Sequence, residues 1–321
     1  MMKQILLMAG VVLGCGTGWS APLQRAHVAA GPAVVAHFDC DGLRATAIGK
    51  AILAQLDAPA VAGKLAAFQA IFSFDPRTQL HGLTFYSAGQ TPQNGVLLFY
   101  ADFESNRLIT LAKAASDYHC ITNGSRLIHS WIDEKKKAER GDKGLFYAAI
   151  QGNRVIFGQS ESTVAGALDV LDGKAPSLAG GKTQPELGAA GAGTFLQGMV
   201  SKFDFASKDP NSAMLKMSKM VRFQVGEAKD QLRATVSFEA NDADTATQIS
   251  AIAQGLIALG KLQQGNPGAL KLANSVSVRQ DGVNVIATLT MPEADAVDLI
   301  KAGAAEKARD KSEETNSVPS P

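Results

Sequence analysis

The chain has 321 residues, with 31 Lys and Arg against 30 Asp and Glu and a formal net charge of +1 at pH 7. This near balance predicts no basic stripe for a phosphate backbone, and the 6% of aromatic residues predicts no stacking platform for bases. We therefore expect no nucleic acid partner. The length allows one large or two ordinary domains, and the apolar content is sufficient for a packed core.

Residues 1–20 have the order of a bacterial signal peptide. A lysine near the start is followed by an apolar run over residues 5–13 and then by glycines that break it. Gly18 and Ser20 place small side chains where a leader peptidase requires them, so we expect cleavage after Ser20 and a mature chain that starts at Ala21. No later apolar run is long enough to cross a bilayer. The predicted localisation is exported and periplasmic.

A second way of processing the leader depends on Cys15. Val12-Leu13-Gly14-Cys15 resembles the lipobox of bacterial lipoproteins, in which the cysteine receives a lipid before the chain is cut just ahead of it. Leu13 departs from that pattern, because smaller residues are usual there. A lipoprotein anchored through Cys15 is therefore the alternative. We expect residues 21–32 to be a flexible N-terminal segment.

Four stretches repeat one pattern of two strands, a tight turn and a helix. Turn dipeptides such as Asp281-Gly282 separate alternating apolar residues, and residues such as Ser160 and Asp242 can cap the helices. In the helix 243–262 one face is expected to be buried. The units cover residues 82–115, 144–173, 219–262 and 274–303, and the stripe expected to be buried on the helix 243–262 consists of Ile249, Ile252, Ala253, Leu256 and Ile257.

The four units fall into two halves of similar order. Residues 33–173 begin with a strand at Ala33–Phe38, and residues 194–303 begin with one at Thr194–Val200. We predict an internally duplicated α+β protein with antiparallel sheets and helices packed on one face. An added hairpin, Tyr118–Ile132, lies in the first half. Residues 174–193 are predicted to be a linker or long loop, and residues 304–321 a disordered tail.

This layout resembles an uncharacterised family of exported bacterial α+β proteins built from tandem hairpin–helix units. The segments AVVAHFDCDGL, VIFGQSESTVAGALDVLDG and DADTATQISAIAQGLIALGKL carry the resemblance. They are patterns of architecture rather than catalytic motifs. The resemblance implies residence in the periplasm or envelope, and it brings no known activity.

The segment HFDCDG, residues 37–42, is the densest cluster of possible metal ligands. Alternate side chains of a strand point the same way, so His37, Asp39 and Asp41 would share one side. The functional interpretation is a metal site completed by His119. However, the sequence has no HxxxH, HExxH or CxxC spacing. The favoured interpretation is a strand that ends in an Asp-capped helix, so we expect no metal and no other cofactor.

Cys40 and Cys120 are the two cysteines that would remain after removal of the leader. In an oxidising compartment they are candidates for a disulfide between the first strand and the added hairpin, and Cys120 is an alternative last ligand for the metal site. Two separate thiols that act as small apolar residues are the other interpretation.

The remaining motifs do not indicate an enzyme. There is no GxSxG motif, and Ser160 is predicted to be a helix cap. The charged run 133–144 is predicted to be a solvated loop, and Trp131 a packing residue of a hairpin. We expect a non-catalytic envelope protein that binds a protein or a lipid; the alternative is an exported hydrolase or metal-dependent enzyme that uses His37 and Asp39. A pocket that gathers these two residues and His119 would favour the enzyme.

Overall fold

A computed structural model of the chain describes residues 21–89, 94–134, 144–180, 187, 190–201, 213–263 and 265–316. These residues form one antiparallel sheet of twelve strands and ten α-helices. The predicted α+β class with antiparallel strands is therefore confirmed. The predicted leader, with Cys15, lies outside the described residues.

The strands of the sheet are all joined to their neighbours by antiparallel pairing. A short 3-10 turn, Arg25–His27, precedes the first of them. The strands are β1 (Val34–Asp39), β2 (Leu80–Ser87), β3 (Gly95–Ala101), β4 (His119–Asn123), β5 (Arg126–Ile132), β6 (Leu145–Gln151), β7 (Arg154–Gly158), β8 (Thr194–Ser201), β9 (Ser218–Ala228), β10 (Gln231–Ala240), β11 (Val276–Asp281) and β12 (Asn284–Pro292).

Most of the helices begin after a polar residue whose side chain caps them. Ser160 and Asp242 accept backbone N–H groups of the helices that follow them, as predicted. The helices are α1 (Cys40–Ala45), α2 (Ala47–Leu56), α3 (Pro59–Phe72), α4 (Pro76–Gln79), α5 (Ser105–Lys113), α6 (Glu161–Leu171), α7 (Ala213–Lys216), α8 (Ala243–Lys261), α9 (Pro267–Ser275) and α10 (Glu293–Asn316).

The two predicted halves meet at the centre of the sheet. Their first strands, β1 and β8, pair antiparallel, with Val35 opposite Met199. Outward from this pair the order is β1-β2-β3-β7-β6 in the first half, with the hairpin β5-β4 added at the edge, and β8-β9-β10-β12-β11 in the second. In both halves the fifth strand therefore lies between the third and the fourth. This shared order supports the internal duplication, which stays a prediction.

Helices cover different faces in the two halves. In the first half α6 packs on one face, where Leu168 contacts a core that contains Ile156 and Met199. In the second half α8 packs on the other face, where Ile249 and Val221 belong to one core. Val221 pairs with Val200, which follows Met199 on β8, and successive side chains of a strand point to opposite faces. α10 lies on the same face as α8. The second half therefore has its helices on one face of the sheet, as predicted. In the first half α5 lies on the face opposite to α6.

The segments on either side of the first half are packed rather than loose. Val28 is fully buried, and its carbonyl accepts the backbone N–H of Leu178 at 2.8 Å. Leu178 and Leu187 join the same core. The packing of Val28 thus differs from the flexible segment predicted for 21–32. The described residues of 174–193 form no helix or named strand, as in the long loop that was one of the two predicted alternatives. Isolated large apolar residues among Ala, Gly and Pro give no periodic signal, although each of them buries its side chain.

Two helices differ from the sequence expectation. α9 was not predicted; it begins where Asn266 caps a helix that has Pro267 in its first turn. α10 runs to Asn316, through part of the predicted disordered tail. Residues 304–308 are Ala, Glu and Lys, which favour helix even without an apolar face to bury. Residues 317–321 lie outside the described residues.

In the part of the chain that the structure describes, no single helix is long and apolar enough to cross a membrane. α2 together with residues Val61–Phe72 of α3 meets that criterion of length and composition as a pair bent by 86°.

Candidate functional site

His37 lies on the central strand β1 with only 2% of its surface exposed. Its Nδ1 is 2.8 Å from Oγ1 of Thr84, and its Nε2 is 2.8 Å from the carbonyl oxygen of Ala21. Because a carbonyl only accepts, Nε2 donates and Nδ1 accepts from the Thr84 hydroxyl. Burial lowers the pKa of His37, against the opposing effects of the Ala21 carbonyl and Asp39, so the ring is neutral near pH 7.

Asp39 ends β1 and caps α1, as the favoured interpretation of the sequence predicted. Its Oδ1 accepts the backbone N–H of Gly42 at 2.8 Å and that of Ala21 at 3.1 Å. The strand alternation stops here, because α1 begins at Cys40. On a longer strand the side chain of Asp41 would point to the same side as that of His37. Because the helix begins first, it does not.

Asp41 instead belongs to a cluster of charged residues that the sequence analysis did not find. It contacts Arg44 on the same helix, and its Oδ2 is 3.0 Å from Nδ1 of His81 on β2. The other ring nitrogen of His81, Nε2, is 3.0 Å from Oδ2 of Asp102. Burial opposes protonation of His81, but hydrogen bonds to Asp102 and Asp41 outweigh it and raise the pKa of the ring. The pairing of β2 with β1 on one side and with β3 on the other places these residues together.

His119, the candidate that would have completed the metal site, lies far from His37. It is an exposed residue of the edge strand β4, where its Nε2 is 3.1 Å from Oδ1 of Asp117. Six strand spacings separate β1 from β4, which at roughly 4.8 Å per spacing puts them some 29 Å apart, a distance on the order of the sheet half-width. Among the described residues, no group of three or more His, Cys, Asp or Glu side chains is placed to hold a metal ion.

The two cysteines that were candidates for a disulfide are both free thiols. Cys40 is buried in the first turn of α1, whereas Cys120 is exposed on β4 at the edge of the sheet. A disulfide requires Cα atoms closer than about 7 Å, and the strand order keeps these two apart. Burial raises the pKa of the Cys40 thiol to about 12, so this side chain is unreactive as a nucleophile.

An apolar groove of about 390 Å³ lies between α5 and the sheet. Trp131 forms part of its floor, where it stacks on Phe146 at 6.4 Å and meets the edge of Phe157 at 6.5 Å. The prediction of Trp131 as a packing residue is thus correct, but the ring also faces the groove. The lining residues are apolar apart from His129: Phe72, Leu108, Ile109, Leu111, Ala112, Ala115, His129, Trp131, Ala148, Ile150, Val155 and Phe157.

One wall of the groove is held in place by α3. Arg107 of α5 donates to the carbonyl oxygens of Ile71 at 2.8 Å and Ala70 at 3.2 Å, at the last turn of α3. α3 is apolar in sequence, yet Phe68 and Ile71 remain exposed at its surface. His129 supplies the polar contact on the other side, because its Nδ1 is 2.8 Å from the hydroxyl of Tyr118.

A second apolar surface lies on α8 and corrects the predicted buried stripe of that helix. Ile249 and Ala253 are buried as expected, but Leu256 is 46% exposed and Leu259 is 61% exposed. Ile252 is exposed as well. The apolar face of α8 therefore extends beyond the core beneath it, and the second half of the helix presents leucines to its surroundings.

Two other features singled out in the sequence are Ser160 and the charged run 133–144. Ser160 accepts the backbone N–H of Thr163 at 3.1 Å and is a helix cap, as predicted. Most of the charged run 133–144, from residue 135 to residue 143, lies outside the described residues.

The comparisons with known proteins give no family. No family model matches the sequence, and no curated protein matches it. Among solved structures, the chain is similar to TP0453 in its crystal form III, with a TM-score of 0.47 and 10% identity over 88% of this chain and 99% of that chain. Crystal form I of TP0453 gives a TM-score of 0.45 and 8% identity over 88% and 98%. Similarity at this level assigns neither a site nor an activity.

Proposed function

We propose that the protein is exported to the cell envelope and acts there as a non-catalytic binding protein whose ligand is the acyl chain of a lipid. The groove beside α5 carries this proposal. Its volume of about 390 Å³ falls within the range of roughly 300–1,000 Å³ that is typical of small-molecule sites. The sequence of the leader supports the export.

The chemistry of the groove favours a hydrocarbon chain. Its lining contains no charged side chain, and burial of each CH₂ group contributes about 0.8 kcal/mol. The hydrogen-bonded pair of His129 and Tyr118 adds a polar contact at one side. Exposed Phe68 and Ile71 on α3 continue the apolar surface near the groove. An amphiphile with one long chain and a small polar head matches this distribution.

The enzyme alternative has less geometric support. Both ring nitrogens of His37 are engaged by Thr84 and Ala21, and Asp39 is engaged as the cap of α1. Neither residue is therefore in the arrangement of a general base beside a nucleophile. His119 does not join them, so the pocket that would have favoured an enzyme is not formed from these three residues.

Binding of labelled palmitate to two matched variants tests the proposal. Ala112→Phe places a ring in the groove and is expected to weaken palmitate binding at least tenfold. Leu256→Ser changes the exposed leucine of α8 and is expected to leave the affinity unchanged. Since extra volume in a packed site costs about 1–3 kcal/mol, circular dichroism must show that Ala112→Phe is folded; Ala115→Phe is the second filling variant.

Two outcomes contradict the proposal. If the wild-type protein does not bind palmitate, an acyl chain is not the ligand. If Leu256→Ser abolishes binding and the filling variants do not, the chain binds to the surface of α8 instead of the groove.

A further inference from the structure

We propose that the mature amino terminus is a structural element of the fold: cleavage between Ser20 and Ala21 creates an α-ammonium group on Ala21 that pairs with the carboxylate of Asp39. This inference rests on the export proposed above. Two independent observations lead to it, the small residues Gly18 and Ser20 ahead of the bond and the contacts of Ala21 in the structure.

The backbone of Ala21 is held at both of its polar groups. Its nitrogen is 3.1 Å from Oδ1 of Asp39, and its carbonyl oxygen accepts from Nε2 of His37 at 2.8 Å. Asp39 and His37 are 3% and 2% exposed, so the central strand β1 fixes both partners. Two hydrogen bonds to buried side chains are not expected of a residue in a loose segment after the leader. They indicate that Ala21 is part of the folded structure.

The side chain of Ala21 also lies against the sheet. Gly82 on β2 lies next to it, and a Cβ atom at position 82 would be 3.4 Å from the Cβ of Ala21 and 3.4 Å from Cε1 of His37. Both distances are ordinary van der Waals contacts, so the methyl group of Ala21 lies beside Gly82 and the ring of His37. Ala21 itself is half-buried, so a charge on its nitrogen retains partial contact with water.

The chemistry of the step is a hydrolysis by a leader peptidase of the export machinery. Water is consumed, the Ser20–Ala21 amide bond breaks, and the carbonyl of Ser20 becomes a carboxylate on the released peptide. The nitrogen of Ala21 becomes an amine, which is protonated at neutral pH because free α-amino groups have a pKa of about 7.7–8.0. One amide N–H near Asp39 is thereby replaced by a cation with three donors, and hydrogen bonds between charged groups are the stronger ones.

Mass spectrometry of the protein exported by its native host gives the first test. A mature chain that begins at Ala21 is expected. A chain that begins at Cys15 and carries added acyl mass would overturn the proposal, and so would any other first residue.

The second test compares two purified chains, one that starts at Ala21 and one with Gly-Ser added before Ala21. Asp39→Asn removes the charge, while Asn still caps α1. We expect Asp39→Asn to lower the Tm of the Ala21 chain by about 2–4 °C more than that of the extended chain. An equal loss in both chains would contradict the charge pair.

Acetylation of the Ala21 amino group is the matched control, because it removes the cation and leaves Asp39 unchanged. It is expected to reproduce the extra loss in Tm, and an unchanged Tm would contradict the proposal. Palmitate binding measured on the same chains keeps the two proposals distinguishable, since the groove beside α5 does not include Ala21 or Asp39.

Discussion

Glu227 and Ala47 connect the two halves of the chain through a helix cap. Glu227 lies on β9 in the second half, and its Oε1 accepts the backbone N–H of Ala47, the first residue of α2, at 2.7 Å. Its Oε2 accepts the N–H of Ile48 at 3.0 Å. A carboxylate at a helix N-terminus satisfies free donors and is attracted by the helix dipole. The sequence separates Glu227 from Ala47 by 180 positions, so local pattern does not reveal this contact.

Loss of this cap is expected to destabilise the protein. Glu227→Ala removes both acceptors and should lower the free energy of unfolding by about 0.5–2 kcal/mol, the range measured for helix caps. Urea denaturation followed by circular dichroism measures it. Glu104→Ala is the control, because Glu104 stands at the N-terminus of α5 without a side-chain cap bond. Equal effects of the two variants would show that the Glu227 contact contributes nothing.

The two faces of α8 should respond differently to substitution. Ile249 is fully buried, so Ile249→Ala is expected to cost about 2–5 kcal/mol of unfolding free energy. Leu256→Asp is expected to leave a folded protein with nearly unchanged stability, since the side chain is 46% exposed. Thermal melts of both variants test this. Unfolding by Leu256→Asp would mean that the outer face of α8 is covered.

His81 should make stability depend on pH with a defined sign. Its pKa is raised in the folded protein by Asp102 and Asp41 in spite of burial, so the folded state binds the proton more tightly than the unfolded state, in which the pKa is about 6.5. The contribution is therefore complete below pH 6.5 and is lost as the pH rises through the folded pKa. The difference in Tm between the wild type and His81→Asn should shrink from pH 5.5 to pH 8.5, values chosen roughly to bracket the imidazole titration. A difference that grows with pH would contradict this account.

Local signals predicted most of the elements because the physics of those elements is local. The turn at Gly282 requires a positive φ, which is 58° in the structure, and Ser160 and Asp242 cap their helices within three residues. The face of α8 was predicted only in part. Periodicity indicates which residues share a face, but it does not indicate where the core under that face ends, so Leu256 was assigned to the interior.

The candidate site was harder to predict because strand pairing creates it. The contact of Asp41 with His81 depends on β1 pairing with β2, and the groove depends on α5 crossing a sheet whose order is not written in any single segment. The sequence did contain one usable signal. Trp131 stands within an apolar hairpin and was assigned to packing, a role that it shares with lining the groove.

The measurement that tests the central claim most directly uses Trp131 as a reporter. The sequence contains two tryptophans, and a purified chain that starts at Ala21 lacks Trp19, so its tryptophan fluorescence comes from Trp131 in the groove. Brominated fatty acids quench tryptophan only at close contact. We predict that a brominated C16 chain quenches Trp131 in a saturable way, as expected of a small-molecule site. This quenching should be lost in Ala112→Phe and retained in Leu256→Ser. Undiminished Trp131 fluorescence at saturating brominated chain, or equal quenching in Ala112→Phe, would contradict an acyl-chain site beside α5.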